Sequence, residues 1–152
     1  LADQVVVVEQ GRVVQVGTMG DLAATPRSDY VAELIGTNLV RGRLVEDHLE
    51  VAGGGTLFVG AHHVDDGPVV ATVRPAAVAL HRDRPEGSPR NVWESVVTGV
   101  DVADGRVRVR LGEPHPFVVE VTAAGFGSLD AEVGSPVWAS VKASEIALVA
   151  DA

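Results

Sequence analysis

The stretch ADGRVRVRLGEPHPFVVEVT, residues 103–122, decides the fold class. Asp104-Gly105 is a dipeptide of tight hairpin turns, and the RVRVRL that follows alternates without fault. Val107, Val109 and Leu111 fall on one face of a strand, with Arg106, Arg108 and Arg110 on the other. A period of two with one apolar face predicts a strand lying on a core and wet on its outer side. A strand from Val92 to about Val102 precedes the turn, and FVVEVT forms a third beyond Pro114 and Pro116.

Downstream, AAGFGSLD holds one or two helical turns at best, because two glycines weaken it. PVWASVK and EIALV supply the last two strands. Five strands with a short helix between the third and fourth is the order of an OB-type β-barrel, which closes its sheet and limits exposed edges. Upstream, HRDRPEGSP, residues 81–89, is polar and holds two prolines, so it reads as a linker. Before it lies a second small β module, with strands expected at Leu39–Glu46, His48–Ala52, Thr56–Val59, Val69–Arg74 and Ala77–Leu80. Gly53-Gly54-Gly55 and Asp65-Asp66-Gly67-Pro68 are its turns.

The first 37 residues differ. QVVVVEQGRVVQVG, residues 4–17, reads as a Val-rich hairpin turning at Glu9-Gln10-Gly11. Ser28 then caps an expected helix carrying Tyr30, Val31, Leu34 and Ile35 on one face, ended by Gly36. The organisation expected is therefore mainly β: a hairpin-and-helix unit over 1–37, an OB-like module over 38–80, a linker over 81–87 and a second OB module over 88–152.

Composition narrows the function. The 152 residues are 46% apolar, ample for a buried core. A formal charge of −9 argues against a nucleic-acid surface, which needs a basic stripe. Without cysteine there is no disulfide framework and no thiolate metal site. The unbroken aliphatic runs, Val5–Val8 among them, are far too short to cross a bilayer, so a soluble chain is expected. A chain that opens at Leu1, directly before a strand, reads as a portion of something longer.

No catalytic constellation stands out. QVGTMG lacks the Lys-Ser/Thr ending of a phosphate loop. His62-His63 with Asp65 and Asp66 reads as a solvated turn rather than a metal site, since adjacent strand residues point to opposite faces and no third histidine lies at ligand spacing. The arginines at 106, 108 and 110 read as a wet strand face. Two segments keep a chemical reading: SPRN, residues 88–91, and KAS, residues 142–144, which contains the only lysine against eleven arginines. Each joins a hydroxyl, a cation and tight backbone at a strand end, a donor set suited to a tetrahedral oxyanion. Donors without acceptors favour molybdate, tungstate or sulfate over phosphate, which near neutral pH carries a proton seeking an acceptor.

LADQVVVVEQGRVVQVGT, continuing through GDLAATPRSDYVAELIG (residues 1–37), resembles the stretch after the switch histidine in the ATP-binding subunits of ABC importers. The resemblance implies that the Walker A loop, signature motif, Walker B acid and switch histidine lie upstream, so that ATP and Mg belong to a longer parent and this fragment is no enzyme. NLVRGRLV and VRPAAVAL resemble the transport-associated OB (TOBE) domain of such subunits, and residues 88–149 look like a Mop-type molybdate-binding module with its Ser-Ala-Arg-Asn and Lys-Ala-Thr/Ser motifs. By that resemblance Ser88, Arg90 and Asn91 of one subunit meet Lys142, Ala143 and Ser144 of another, with Ala143 acting through its N–H, around molybdate or tungstate at a homodimer interface. It also implies transmembrane permease subunits as partners, the cytoplasmic face of the cell membrane as location, and feedback inhibition of uptake as role. Pro89 replaces the usual Ala, Ser95 stands where Gly is frequent, and the short helix is glycine-rich. The rival expectation is a ligand-free module that dimerises the ATPase of an importer for sulfate, iron, polyamine or sugar.

Overall fold

The computed structural model of the chain describes residues 4–87 and 89–151. It opens with an antiparallel hairpin of β1 (Val5–Glu9) and β2 (Arg12–Gly17), turned by Gln10 and Gly11 at positive φ. A short helix absent from the sequence reading follows, α1 (Met19–Ala24). Its signal was a capping box: the Thr18 hydroxyl accepts from Asp21 N–H, and the Asp21 carboxylate accepts from Thr18 N–H. The expected helix is α2 (Asp29–Ile35), where the Ser28 hydroxyl accepts from Val31 N–H and Gly36 closes the end at φ +71°. Val7, Leu22 and Val31 give this unit a core of its own. Tyr30, expected on the buried face beside Val31, is instead 43% exposed.

The rest is mainly β and of OB type. The first half contains β3 (Asn38–Val45), β4 (His48–Val51), β5 (Thr56–Phe58), β6 (Gly67–Val73), a 3₁₀ turn at Pro75–Ala77 and β7 (Ala79–His81). The second contains β8 (Asn91–Ala103), β9 (Arg106–Leu111), β10 (Val118–Thr122), α3 (Ala123–Leu129), β11 (Pro136–Val141), a 3₁₀ turn at Ala143–Glu145 and β12 (Ile146–Ala150). The 104–105 turn has both residues at positive φ, as a two-residue hairpin between twisted strands requires. The RVRVRL alternation holds: Val107, Val109 and Leu111 are buried and the three arginines exposed. Thr122 caps α3, which makes about two turns despite its glycines.

The two halves exchange their last strands. One sheet runs β12-β6-β3-β4-β5 and the other β10-β9-β8-β11-β7, so β12 pairs with β6 and β7 pairs with β11. A single cluster, from Val40, Leu44 and Leu49 through Val97 and Val109 to Val137 and Ile146, fills the space between the sheets. The segment between the halves is tied to the second: Arg82 bonds Asp130 and the Arg84 guanidinium lies 5.1 Å from the Trp138 ring centroid.

Behind the exchange lies an internal repeat. GPVVATVRPAAVAL (67–80) matches SPVWASVKASEIAL (135–148) with six of fourteen residues identical. Asn38 pairs with Val73 as Asn91 pairs with Val141. Each asparagine also staples its half to an edge strand of the other. The Asn91 amide accepts from Phe58 N–H (2.7 Å) and donates to Phe58 C=O (2.8 Å), while Asn38 does the same to Val118 (2.7 and 2.9 Å).

Candidate functional site

β8 and β11 run antiparallel, so residues far apart in sequence reach one end of the sheet together. Asn91 lies opposite Val141, so the start of β8 and the end of β11 lie side by side, just before Lys142. Lys142 leaves β11 in extended conformation and leads into the 3₁₀ turn that holds Ala143 and Ser144. Its exposed side chain and Pro89 border one shallow cavity of about 290 Å³. Among the ion pairs of the described residues none includes Lys142.

Ser140, buried at the foot of this cavity, shares a 2.8 Å hydrogen bond with the His81 ring. Burial holds His81 below its ordinary value near 6.5, so the ring is neutral around pH 7 and adds no charge. The KAS turn is braced from behind by Gly60, whose N–H donates to Ala143 C=O at 3.1 Å. A Cβ on Gly60 would meet Ser144 Cα at 3.2 Å, so only glycine allows this approach without moving the turn. Sequence reasoning missed Gly60, and a lone glycine after a strand carries no readable signal for it.

Arg90 and Asn91 stand apart from that cavity. Arg90 turns to the first half, where its guanidinium bonds Asp47 at 3.0 Å and covers the Phe58 ring at 4.6 Å from the centroid. That hydrogen bond holds the Asp47 carboxyl below its usual value. The Asn91 side chain is spent on the Phe58 main chain. Ser88 lies outside the described residues. Within one chain, then, Lys142 lies with Pro89 at the cavity, Ala143 and Ser144 sit in the turn packed on Gly60 and do not line it, and Arg90 forms a separate group with Asp47 and Phe58. Ser95, a departure from the motif, is buried and donates to the Gly112 and Glu113 carbonyls at 3.1 and 3.0 Å, which anchors the loop after β9.

Two other places were open to chemistry. A larger cavity of about 690 Å³ lies between the end of α2, β3 and the 113–118 loop. Two of its guanidiniums are already paired, Arg41 with Asp29 and Arg110 with Asp101, both at 2.7 Å. The loop holding His62 and His63 is tied to the turn between β3 and β4: His62 meets the Glu46 carbonyl at 2.8 Å, and Asp66 accepts from Glu46 N–H. Among the described residues no group of three metal-ligating side chains converges, and no helix is long and apolar enough to cross a membrane.

Comparison with known proteins agrees with this architecture. Residues 87–148 match the TOBE domain family. The chain is 36% identical, over 97% of its length, to the molybdenum import ATP-binding protein ModC of Mycobacterium tuberculosis. It is 29% identical, over 96% of its length, to the molybdate/tungstate import ATP-binding protein WtpC of Pyrococcus horikoshii. It spans 42% of the length of each of these relatives. A crystal structure of the cytoplasmic molybdate-binding protein ModG superposes with a TM-score of 0.66 at 21% identity, covering 75% of this chain and 96% of that one, which establishes the shared fold. The chain therefore carries a TOBE-type segment at residues 87–148 and, along nearly its whole length, is similar in sequence to the corresponding part of the molybdenum import ATP-binding subunits.

Proposed function

We propose that this chain is the regulatory end of a molybdate or tungstate importer's ATP-binding subunit, and that it binds the oxyanion between two copies of itself. The observation that carries the reading is Lys142: a cation outside every ion pair of the described residues, lining a cavity that Pro89 also borders. A compact ammonium approaches a small dianion more closely than a guanidinium fork does. Ala143 N–H and the Ser144 hydroxyl extend the donor set, and Ser88 and Arg90 of the second copy complete it. The lean of Arg90 onto Phe58 and Asp47 favours completion by a second copy, because within one chain Arg90 belongs to a different cluster. Asn91 contributes by holding its segment in place.

In the whole subunit ATP and Mg would be handled upstream, with permease subunits as partners at the cytoplasmic face of the membrane. Anion bound between two TOBE domains would inhibit uptake by stabilising the transporter state in which the ATPases are apart. Only unequal affinity for the two states does this, since an anion that binds both equally shifts neither.

Calorimetric titration of the dimeric chain with molybdate, sulfate and phosphate is the test. Molybdate should bind and phosphate should not, and Lys142→Ala should weaken molybdate by about 1.5–3 kcal/mol, the scale of a lost charged hydrogen bond. No molybdate heat from a demonstrated dimer would refute the sensor reading and leave the dimerisation module.

A further inference from the structure

The internal repeat assigns Lys142 a counterpart. Arg74 follows β6 as Lys142 follows β11, with nearly the same backbone (φ −66°, ψ 139° against φ −69°, ψ 139°), and each leads into a 3₁₀ turn. Each cation borders its own cavity, about 290 Å³ at Lys142 and about 530 Å³ at Arg74. The linings correspond: Ser140 of one is Thr72 of the other, and Ala79 is Ala147.

One correspondence breaks the symmetry. The residue three places after Arg74 is Ala77, whereas the residue three places after Lys142 is Glu145. Glu145 reaches across to the other half, and its carboxylate bonds the Arg74 guanidinium at 2.8 Å. Arg74 and Glu145 line both cavities, so their ion pair is the wall between them. On the Arg74 side two guanidiniums, Arg74 and Arg108, face two carboxylates, Glu120 and Glu145, and the charges cancel. On the Lys142 side two cations face Glu145 alone.

We propose that Glu145 is a built-in counter-anion that closes the first-half position to tetrahedral dianions, leaving one anion position per chain, at Lys142, where the repeat offers two. The proposal rests on the oxyanion reading above. A dianion entering beside Arg74 has to displace a tethered carboxylate that competes at high effective concentration, and meets a second carboxylate in Glu120. This is discrimination by repulsion as much as by lost attraction. The pair is largely solvent-exposed, with Arg74 71% and Glu145 39% accessible, so its removal leaves the fold standing.

The experiment is a molybdate titration by calorimetry of the wild-type chain, Glu145→Gln, Glu145→Gln/Arg74→Ala and Glu145→Gln/Lys142→Ala, with unchanged thermal unfolding confirming each variant's fold. Wild type should take up one anion per chain and Glu145→Gln two. The added position should vanish in the Arg74→Ala double variant and persist in the Lys142→Ala one. Unchanged stoichiometry in Glu145→Gln overturns the proposal while wild-type binding keeps the oxyanion reading. Binding gained only in Glu145→Gln and lost with Arg74 overturns the Lys142 reading and keeps the counter-anion. Binding by neither protein overturns both.

Discussion

Asn91 illustrates how a residue type chosen for its donors ends up serving the fold. Its amide closes two hydrogen bonds with the Phe58 main chain in a buried setting, and Asn38 repeats the arrangement on Val118. Truncation would strand a buried N–H and a buried C=O together, so Asn91→Ala should lower stability by about 2–3 kcal/mol. Urea unfolding measures this, and Asn38→Ala should match it to within about 1 kcal/mol, because the staples are equivalent. Lys142 is the opposite case: its place at the end of β11 was legible from the PVWASVK pattern, and so was its pairing with a hydroxyl residue two positions on. Where Arg90 points was not legible. A guanidinium settles on whichever carboxylate and ring the fold brings near, here Asp47 and Phe58, more than thirty positions away in sequence.

At the scale of elements, the KAS turn depends on what stands behind it. Gly60, just beyond β5, donates to the Ala143 carbonyl and leaves no room for a side chain. Gly60→Ala should push the turn by a few tenths of an ångström, a small cost in stability, yet weaken molybdate binding by about tenfold or more, since a close-fitting site loses heavily from a small misplacement. Titration alongside thermal unfolding separates the two effects; an unaltered affinity would mean that the turn does not hold the anion. The hairpins were readable because Asp104-Gly105 and the alternation of RVRVRL act over neighbouring residues. The capping box that starts α1 was equally local, and Thr18-x-x-Asp21 was there to be read.

For the molecule as a whole, the strand exchange is the fact with most consequence. β12 completes the sheet of the first half and β7 that of the second, and one core serves both. A polypeptide of residues 88–152 alone would carry β12 without β6 and leave half of the shared core facing water. Circular dichroism and denaturant titration should show that it fails to unfold cooperatively, whereas the 152-residue chain unfolds its two β halves in a single step. Independent cooperative unfolding of the short piece would show that the exchange is dispensable. The same exchange sets the Arg74 and Lys142 turns next to each other, which is why Glu145 of one half can neutralise a cation of the other.

By itself the sequence determined the periodicities: which segments are strands, which face of each is apolar, where the chain turns, and which short segments hold the donor types a tetrahedral oxyanion would need. Those properties depend on residues within a few positions of one another, and hydrophobic patterning and turn chemistry act at that range. Only the tertiary structure decided which sheet each closing strand joins, that Asn91 grips Phe58, and that Glu145 occupies Arg74 while Lys142 stands outside the ion pairs of the described residues. β7 and β12 are strands of three and five residues, too short for their pattern to name the sheet each joins. The choice between sheets is made when the two halves bury one core together, and no local signal records it.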